Sequence, residues 1–191
     1  MVEDLHEEIE EVVLVDEMNN VLGTLPKSVV HNKETPLHRA FSVYLFNMNR
    51  ELLIQQRSHL KRSWPLVWSN SCCGHPQLNE STIDAAKRRI KEELGLEIDF
   101  IEEVADYRYR AYKDGITENE ICPILIAFTS SSSLFLNDDE VEAVRWLRWP
   151  DFLDTLRQDH LNFSPWCLEQ SAILEKNIRF KELRKNHALA S

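Results

Sequence analysis

The chain has 191 residues, 43% of them hydrophobic and 28% charged, with a formal net charge of −10 at pH 7. This length is typical of one domain, residues 1–191, whose core is large enough to fold without disulfide bonds. The negative charge argues against nucleic acid or anionic lipid as a partner, and no apolar run approaches the roughly 18 residues that cross a bilayer.

The N-terminal part is predicted to be rich in β-hairpins. It begins with the acidic segment M-V-E-D-L-H-E-E-I-E, which lacks the basic flank and apolar core of a signal peptide, so we expect a cytoplasmic protein. Residues 11–16 (E-V-V-L-V-D) predict a strand that leads into a turn. Residues 40–46 and 51–57 predict the strands of a second hairpin. After a polar, basic stretch, residues 67–71 are predicted to be extended.

The second half predicts helices alternating with strands. The helix with the clearest signal spans 82–94, where apolar residues recur at helical spacing and Gly95 ends the pattern. Further segments are predicted from their composition, namely strands at 97–111, 119–129 and 143–149 and helices at 150–159 and 164–183. This order predicts an α/β (α+β) fold, in which a mixed β-sheet is sandwiched by helices and has additional N-terminal strands and C-terminal helices.

Two adjacent cysteines lie in the segment N-S-C-C-G-H-P-Q. In an extended segment, side chains at i and i+2 share a face, so Cys73 and His75 are predicted to face one way and Cys72 the other. The four cysteines make a poor disulfide framework. A small buried packing residue is the usual role of a cysteine, and we expect it for Cys72, Cys122 and Cys167.

Two glutamates, Glu118 and Glu120, are predicted to share one face of a strand, with Asn119 on the other. Two carboxylates side by side repel each other and raise each other's pKa unless a cation lies between them. The pattern therefore predicts a divalent metal ion at this strand.

The segment 74–96 resembles the Nudix box, a loop–helix–loop with the pattern G-x5-E-x7-R-E-U-x-E-E-x-G-U, where U is aliphatic. Gly74, Glu80 and Arg88 fall on the pattern, and R-R-I-K-E-E-L-G-L completes it with one departure. Arg89 occupies the place of the first glutamate of the core. The resemblance implies a Nudix fold, with a metal site weakened by the cation.

The helix charges have two interpretations. Arg88 with Glu92 and Arg89 with Glu93 are i,i+4 pairs, so an exposed salt-bridged helix face is one of them. In the other, which we favour for Glu93 and leave open for Glu92, the carboxylate holds Mg²⁺, as the resemblance to Nudix hydrolases implies.

Longer motifs resemble the type 1 isopentenyl-diphosphate isomerases, a catalytic branch of the Nudix fold. They are S-N-S-C-C-G-H-P-Q, Y-R-Y-R-A, T-E-N-E-I-C-P and F-S-P-W, and the resemblance covers residues 11–174, about the whole predicted core. It implies that the chain interconverts isopentenyl and dimethylallyl diphosphate through protonation, a tertiary carbocation and deprotonation. The site must then be dry, because water would quench the cation.

The same resemblance implies the roles of the site residues. Those implied to act on the allyl unit are Cys73, Glu120, Tyr109 and Trp166. Those implied to grip the diphosphate are Lys27, Arg57, Lys61 and Arg89, helped by Mg²⁺ on Glu93. Those implied to hold a second divalent ion are His31, His38, His75, Glu118 and Glu120, with Cys73 included in the metal set. Imidazole ligands favour Mn²⁺ or Zn²⁺ over Mg²⁺ at that second site.

Other interpretations remain open at this point. The fold could serve a diphosphate hydrolase, which Arg89 opposes, or a binding module with a structural metal and no turnover. Trp166 could be a packing residue and Lys61 a solvated surface charge. For the isomerase we expect isopentenyl diphosphate as a small-molecule substrate, and the chain as a monomer or a weak dimer.

Overall fold

The computed structural model describes residues 10–131 and 133–187. Most of the acidic first segment, for which no signal peptide is predicted, and both ends of the predicted domain 1–191 lie outside the described residues. Within these residues no helix is long and apolar enough to cross a membrane.

Twelve strands are present in the described part of the chain. In chain order they are β1 (Glu11–Val15), β2 (Val21–Pro26), β3 (His38–Arg39), β4 (Phe41–Asn47), β5 (Glu51–Arg57), β6 (Trp68–Ser69), β7 (Cys72–Gly74), β8 (Phe100–Ala105), β9 (Arg108–Lys113), β10 (Ile116–Ile121), β11 (Ile124–Thr129) and β12 (Val141–Arg148). The helices are α1 (Lys27–Val30), α2 (Thr82–Leu94), α3 (Trp149–Gln158), α4 (Pro165–Lys176) and α5 (Ile178–Asn186), with a 3₁₀ turn at His160–Asn162.

The strands form two mixed sheets. One has the order β2-β1-β3-β10-β9, and the other has the order β12-β5-β4-β11-β8 with β7 paired to β4 and β6 to β5. Each sheet contains one parallel pair, β3 with β10 in the first and β4 with β11 in the second. The mixed sheet predicted from the sequence is therefore present as two sheets.

Helices cover both faces of the second sheet. Because side chains alternate along a strand, Val43 of β4 packs with Ile90 and Leu94 of α2 on one face. Its neighbour Tyr44 packs on the other face with residues of the C-terminal helices, such as Trp149. The predicted sandwich of a mixed sheet between helices is confirmed.

Local signals fix α2 at the predicted bounds, Thr82–Leu94. The Ser81 hydroxyl accepts a hydrogen bond from the Asp84 amide at 3.1 Å, which caps the N-terminus. Gly95 adopts a left-handed conformation with φ of 67° and its N–H bonds back to the Lys91 carbonyl. A side chain at this φ is unfavourable, so glycine is the residue expected where the helix stops.

Three predicted elements were wrong, because each was predicted as one continuous strand or helix and is two shorter elements in the structure. The strand predicted at 97–111 is β8 and β9, and the strand predicted at 119–129 is β10 and β11. In both cases the chain leaves one sheet and enters the other. The break between β10 and β11 contains Pro123, which has no N–H to donate. The Cys122 N–H donates to the Tyr107 carbonyl at 2.8 Å, joining the two breaks.

The predicted helix 164–183 is α4 followed by α5. Asn177 between them has an extended conformation, with φ of −74° and ψ of 121°. Its side chain accepts a hydrogen bond from the Phe180 amide at 2.8 Å and so caps α5. The second predicted hairpin is present only in part, because β4 and β5 meet at the pair Phe46 and Leu52 and otherwise bond to other strands.

Candidate active site

A cavity of about 460 Å³ gathers most of the residues singled out in the sequence. The predicted site residues in its wall are Lys27, His31, Arg57, Lys61, Cys73, His75, Tyr109, Glu118, Glu120 and Trp166. They come from both sheets, from α1 and from the start of α4, so the cavity is built by the tertiary fold and not by one segment.

The two adjacent cysteines face opposite sides of the second sheet, as predicted. β7 runs antiparallel to β4, with Cys73 opposite Ser42 and Cys72 opposite Val43. Cys72 is completely buried in the core beneath α2, whereas Cys73 lines the cavity. Burial raises the pKa of the Cys73 thiol to about 11, although hydrogen bonds to Ser42 and Asn70 act in the other direction.

Gly74 lets β7 lie close against α2. A Cβ atom at this position would lie 2.9 Å from Cζ of Phe41 and 3.0 Å from Cγ of Arg89. Contacts this short force neighbours to move, so the glycine of the predicted box is required by packing and allows β7 to approach the helix.

Strand pairing brings His38 and Glu120 together. Parallel pairing of β3 with β10 places the two residues opposite each other, although they are 82 positions apart in sequence. Nδ1 of His38 lies 2.9 Å from the carbonyl oxygen of Pro36, which can only accept, so this nitrogen carries the proton. Nε2 therefore presents a lone pair towards Glu120, the arrangement typical of a metal-binding histidine.

Three imidazoles and two carboxylates converge in one corner of the cavity. Nε2 of His31 lies 3.1 Å from Oε2 of Glu118, and Nε2 of His38 and of His75 lie 3.4 and 3.3 Å from Oε1 of Glu120. The ligand atoms of the three histidines and Glu120 all lie within 4.8 Å of one another. The ligand atoms of the three histidines and Glu120 are close enough together to contact one ion, and Glu118 lies beside this group through His31.

The charges in this corner are arranged as in a metal site. Burial lowers the pKa of His75 to about 4, which favours the neutral, ligating form. Burial would raise the pKa of Glu120, but the neighbouring His38 and His75 imidazoles hold it well below its usual value. Oε2 of Glu118 is buried and makes no hydrogen bond of acceptable geometry with any described residue, so it too is available as a ligand.

Cationic side chains lie at the cavity wall, each held by a partner. Nζ of Lys27 lies 2.8 Å from the Glu10 carboxylate, and Lys61 forms an ion pair with Glu140. Arg57 donates to the carbonyl oxygens of Ser63 and Trp64 and sits with its guanidinium carbon 5.7 Å from the ring centroid of Trp166. An anion in the cavity would meet fixed positive charge despite the acidic total.

Three predicted site residues, Arg89, Glu93 and His38, are not in the cavity wall, and of these only His38 joins the histidine–glutamate cluster. Nη2 of Arg89 lies 2.5 Å from Oε1 of Glu93 and 3.1 Å from Oε1 of Glu140, and both helix side chains are less than a tenth exposed. Gln55 donates to the second Glu93 oxygen at 3.3 Å. This position does not support direct contact of Arg89 with a phosphate or of Glu93 with Mg²⁺, so those roles stay predictions.

Aromatic rings form the apolar part of the wall. Trp166 is only 3% exposed, and its Nε1 donates to the Ser69 hydroxyl at 3.0 Å. The Tyr109 ring lies 5.6 Å from that of Trp166, measured between centroids, and Tyr109 is the cross-strand neighbour of Glu120. Burial, and then the charge of Glu120, raise the pKa of the Tyr109 hydroxyl well above its usual value.

Sequence reasoning missed four side chains that hold these groups in place. Glu10 and Glu140 pair with the cavity lysines, and Asn70 and Ser42 contact the Cys73 sulfur at 3.3 and 3.5 Å. Asn70 lies inside the quoted cysteine motif, but the other three are brought in from distant segments that carry no local signal.

The fold and site together define a Nudix-domain protein. The family model described as NUDIX domain matches residues 36–167. A crystal structure of a Deinococcus radiodurans protein superposes with a TM-score of 0.68 at 19% identity, covering 86% of this chain and 98% of that one. A MutT protein from Methanosarcina mazei Go1 gives 0.61 at 15% identity, covering 79% and 97%. These two structures support the fold alone.

Relatives of higher sequence identity show which family of Nudix-domain proteins the chain belongs to. The chain is 44% identical over 167 residues to an isopentenyl-diphosphate Delta-isomerase of Rhizobium rhizogenes. The aligned region covers 86% of this chain and 80% of that protein. It is 45% identical over 172 residues to the protein of the same name from Shigella dysenteriae serotype 1, covering 89% and 94%. The chain belongs to the isopentenyl-diphosphate Delta-isomerase family, as its motifs predicted.

Proposed function

We propose that this protein is an isopentenyl-diphosphate Delta-isomerase, an enzyme that interconverts isopentenyl and dimethylallyl diphosphate. The observation that carries the proposal is that Cys73 and Glu120 line the same cavity, next to a converged histidine–glutamate cluster. Moving a double bond requires one group that adds a proton to carbon and another that removes one. A thiol and a carboxylate in one cavity supply such a pair.

The proton balance of the reaction is simple. One group gives a proton to the terminal CH₂ carbon, and the electron pair of the double bond forms the new C–H bond. The resulting tertiary cation then loses a proton from the carbon on the other side to the second group, and the released pair forms the new double bond. Cys73 and Glu120 exchange donor and acceptor roles between the two directions of the reaction.

The surrounding residues suit a cationic intermediate. Trp166 is buried and Tyr109 is half-buried, and their ring centroids lie 5.6 Å apart at the wall. A π face in a desolvated site attracts a cation by about 2 kcal/mol, and the ring carbons do not attack it. Tyr109 is the cross-strand neighbour of Glu120 and would hydrogen-bond that carboxylate or relay its proton.

The donors fit a divalent cation, the kind of cofactor that Nudix-domain membership implies. His31, His38, His75, Glu118 and Glu120 would hold it, and a set of three imidazoles and two carboxylates favours Zn²⁺ or Mn²⁺ over Mg²⁺. When bound, it supplies positive charge that keeps both carboxylates ionised at close range. Cys73 lines the same cavity but is not one of the converging donors, so we assign it to proton transfer, and a role as metal ligand stays a prediction.

Diphosphate binding is assigned to the cations of the cavity wall. Lys27, Arg57 and Lys61 would anchor the phosphate oxygens, with the two lysines released in part from Glu10 and Glu140. Arg89 and Gln55 already bond to the two oxygens of Glu93, which disfavours Mg²⁺ on that carboxylate. Mg²⁺ that enters with the diphosphate remains compatible with the cavity.

The reaction in deuterated water tests this proposal. The purified protein is incubated with isopentenyl diphosphate and Zn²⁺, Mn²⁺ or Mg²⁺, and the products are analysed by NMR and for released phosphate. We expect dimethylallyl diphosphate carrying deuterium in a methyl group, with no phosphate released. Phosphate release without isomerisation would identify a hydrolase instead, and a lack of both reactions with every ion would leave a binding module.

A further inference from the structure

The side chain of Asn70 occupies a fully buried junction directly behind the cavity. Its Nδ2 donates to the carbonyl oxygens of Val43 and Cys72, at 3.1 and 3.0 Å. Because both partners can only accept, the amide cannot be turned over, and Oδ1 must be the atom that faces the other way. The orientation of this acceptor is thus fixed by the backbone of two strands.

One thiol and one hydroxyl donate hydrogen bonds to Oδ1 of Asn70. Sγ of Cys73 lies 3.3 Å from Oδ1 of Asn70, and Oγ of Ser69 lies 2.9 Å from it. The amide oxygen has two lone pairs, so both bonds can form together. The bond from Cys73 sets the direction of the thiol side chain about its χ1 angle.

The second donor extends the junction to the aromatic wall. Ser69 accepts a hydrogen bond from Nε1 of Trp166 at 3.0 Å, and an indole nitrogen can only donate. Oγ of Ser164 lies 2.8 Å from Oγ of Ser69 and must donate as well, since the Ser69 proton is used on Asn70. Asn70 therefore connects the thiol and the indole through fixed donors and acceptors.

The residues of this hydrogen-bond network are shielded from water. Asn70, Ser69 and Ser164 are at most 1% exposed, so water does not compete for their partners. Buried hydrogen-bonded networks hold side chains in one geometry, because leaving any member unpaired is costly. Groups in reaction sites must be held within roughly 0.5 Å of the productive position, and this network supports the thiol together with the contact from Ser42.

We propose that Asn70 is a positioning residue that fixes the Cys73 thiol and, through Ser69, the Trp166 ring against the same substrate carbon chain. The proposal rests on the proposed function, because it assigns the two groups it aligns to proton transfer and cation contact. Misplacing a reacting group by about 1 Å lowers a rate by about 10²-fold. Loss of Asn70 should thus affect turnover and not the affinity for the diphosphate end.

The test compares Asn70→Ala with a neighbouring control, Ser71→Ala. Ser71 is equally buried and bonds to the Leu45 amide and the Leu53 carbonyl at 2.7 and 2.5 Å, but it does not touch the thiol. For Asn70→Ala we expect kcat to fall by about 10- to 100-fold with KM within about twofold. Ser71→Ala should lower the unfolding temperature comparably while kcat stays within about threefold of wild type.

Ser69→Ala provides a second variant that keeps Asn70 and the backbone bonds. It should lower kcat by an intermediate factor, and the double variant Asn70→Ala/Ser69→Ala should be no slower than Asn70→Ala, because the residues act as one unit. If Asn70→Ala does not fold, a kcat loss in Ser69→Ala that Ser71→Ala does not share still supports the proposal.

Two results would overturn the inference. One is that Asn70→Ala and Ser69→Ala both retain kcat within about threefold of wild type, and the other is that Ser71→Ala loses as much kcat at the same loss of stability. Both results can be interpreted only when the wild-type protein is active. An inactive wild type with every ion would instead contradict the proposed function itself.

Discussion

Oε1 of Glu140 lies 3.1 Å from Nη2 of Arg89 and so joins the loop before β12 to the Nudix-type helix α2. The pair explains how an arginine is accommodated where the box pattern has a glutamate. The guanidinium is also bonded to Glu93, so two carboxylates at the base of the cavity are neutralised by the protein itself. Arg89 serves the fold from beneath Gly74, where it also packs against β7.

Replacing Arg89 by methionine should be strongly destabilising. Glu93 and Glu140 would keep buried charges without their shared partner, and breaking a buried pair in this way costs about 3–5 kcal/mol of unfolding free energy. Urea denaturation of Arg89→Met and wild type measures the difference. The control is Lys91→Met on the exposed face of the same helix, which should leave the urea midpoint unchanged. Equal midpoints for Arg89→Met and wild type would contradict the structural role.

The two adjacent cysteines should respond differently to substitution. Cys73→Ala removes the thiol in the cavity and should lower kcat by about 10²-fold or more, the scale expected for loss of a proton-transfer group. Cys72→Ala removes a buried packing atom and should cost on the order of 1 kcal/mol of stability while kcat stays within about threefold. Steady-state kinetics with thermal unfolding separates the two effects. Full activity in Cys73→Ala would remove the thiol from the mechanism.

Metal removal should lower both activity and stability. A divalent ion bound only by the folded state raises the unfolding free energy by about 2.7 kcal/mol at a concentration of 100 times its Kd. We expect dialysis against a chelator to abolish isomerisation and lower the unfolding temperature, and re-addition of Zn²⁺ or Mn²⁺ to restore both.

The ligands of that ion can be checked by metal content. Atomic emission should find the ion lost from His38→Ala, whose Nε2 lies in the converged cluster. His59→Ala is the matched control, because His59 is an exposed histidine paired with Glu142 away from the cluster. A full metal content in His38→Ala would show that the ion is bound elsewhere.

Glu140 should make the stability depend on acidic pH. Burial opposes its ionisation, but Lys61 and Arg89 lower its pKa from 4.5 to about 2. Because the folded pKa is the lower one, its stabilising contribution is complete above pH 4.5 and is lost as the pH falls through about 2. Each pKa unit corresponds to about 1.4 kcal/mol.

A comparison of Glu140→Gln with wild type isolates the contribution of Glu140 to the pH dependence of stability. The difference in urea midpoint should be largest at pH 6 and shrink steadily between about pH 4.5 and pH 2.5. A difference that stays constant over this range would assign the pH dependence to other carboxylates. Glu142→Gln, two residues away on the exposed side of β12, is the control and should show a smaller change.

Some of the structure was readable from local sequence alone. The bounds of α2 follow from its apolar spacing, Ser81 and Gly95, which act within one or two helical turns. The opposite orientation of Cys72 and Cys73 follows from the period of two along a strand, which is also local. Glu118 and Glu120 share the cavity wall for the same reason.

Other features were decided only by long-range contacts. Nothing near His38 indicates that it faces Glu120, because that pairing depends on the register of two strands far apart in sequence. The breaks after β8 and β10 arise where the chain crosses between sheets, and propensity continues through both. Glu140 likewise reaches Arg89 only in the folded chain, and this ion pair could not be foreseen from the helix sequence, while the phosphate-binding role of Arg89 stays a prediction. Residue types and local periodicity thus determined which groups are available, and strand register decided which of them meet.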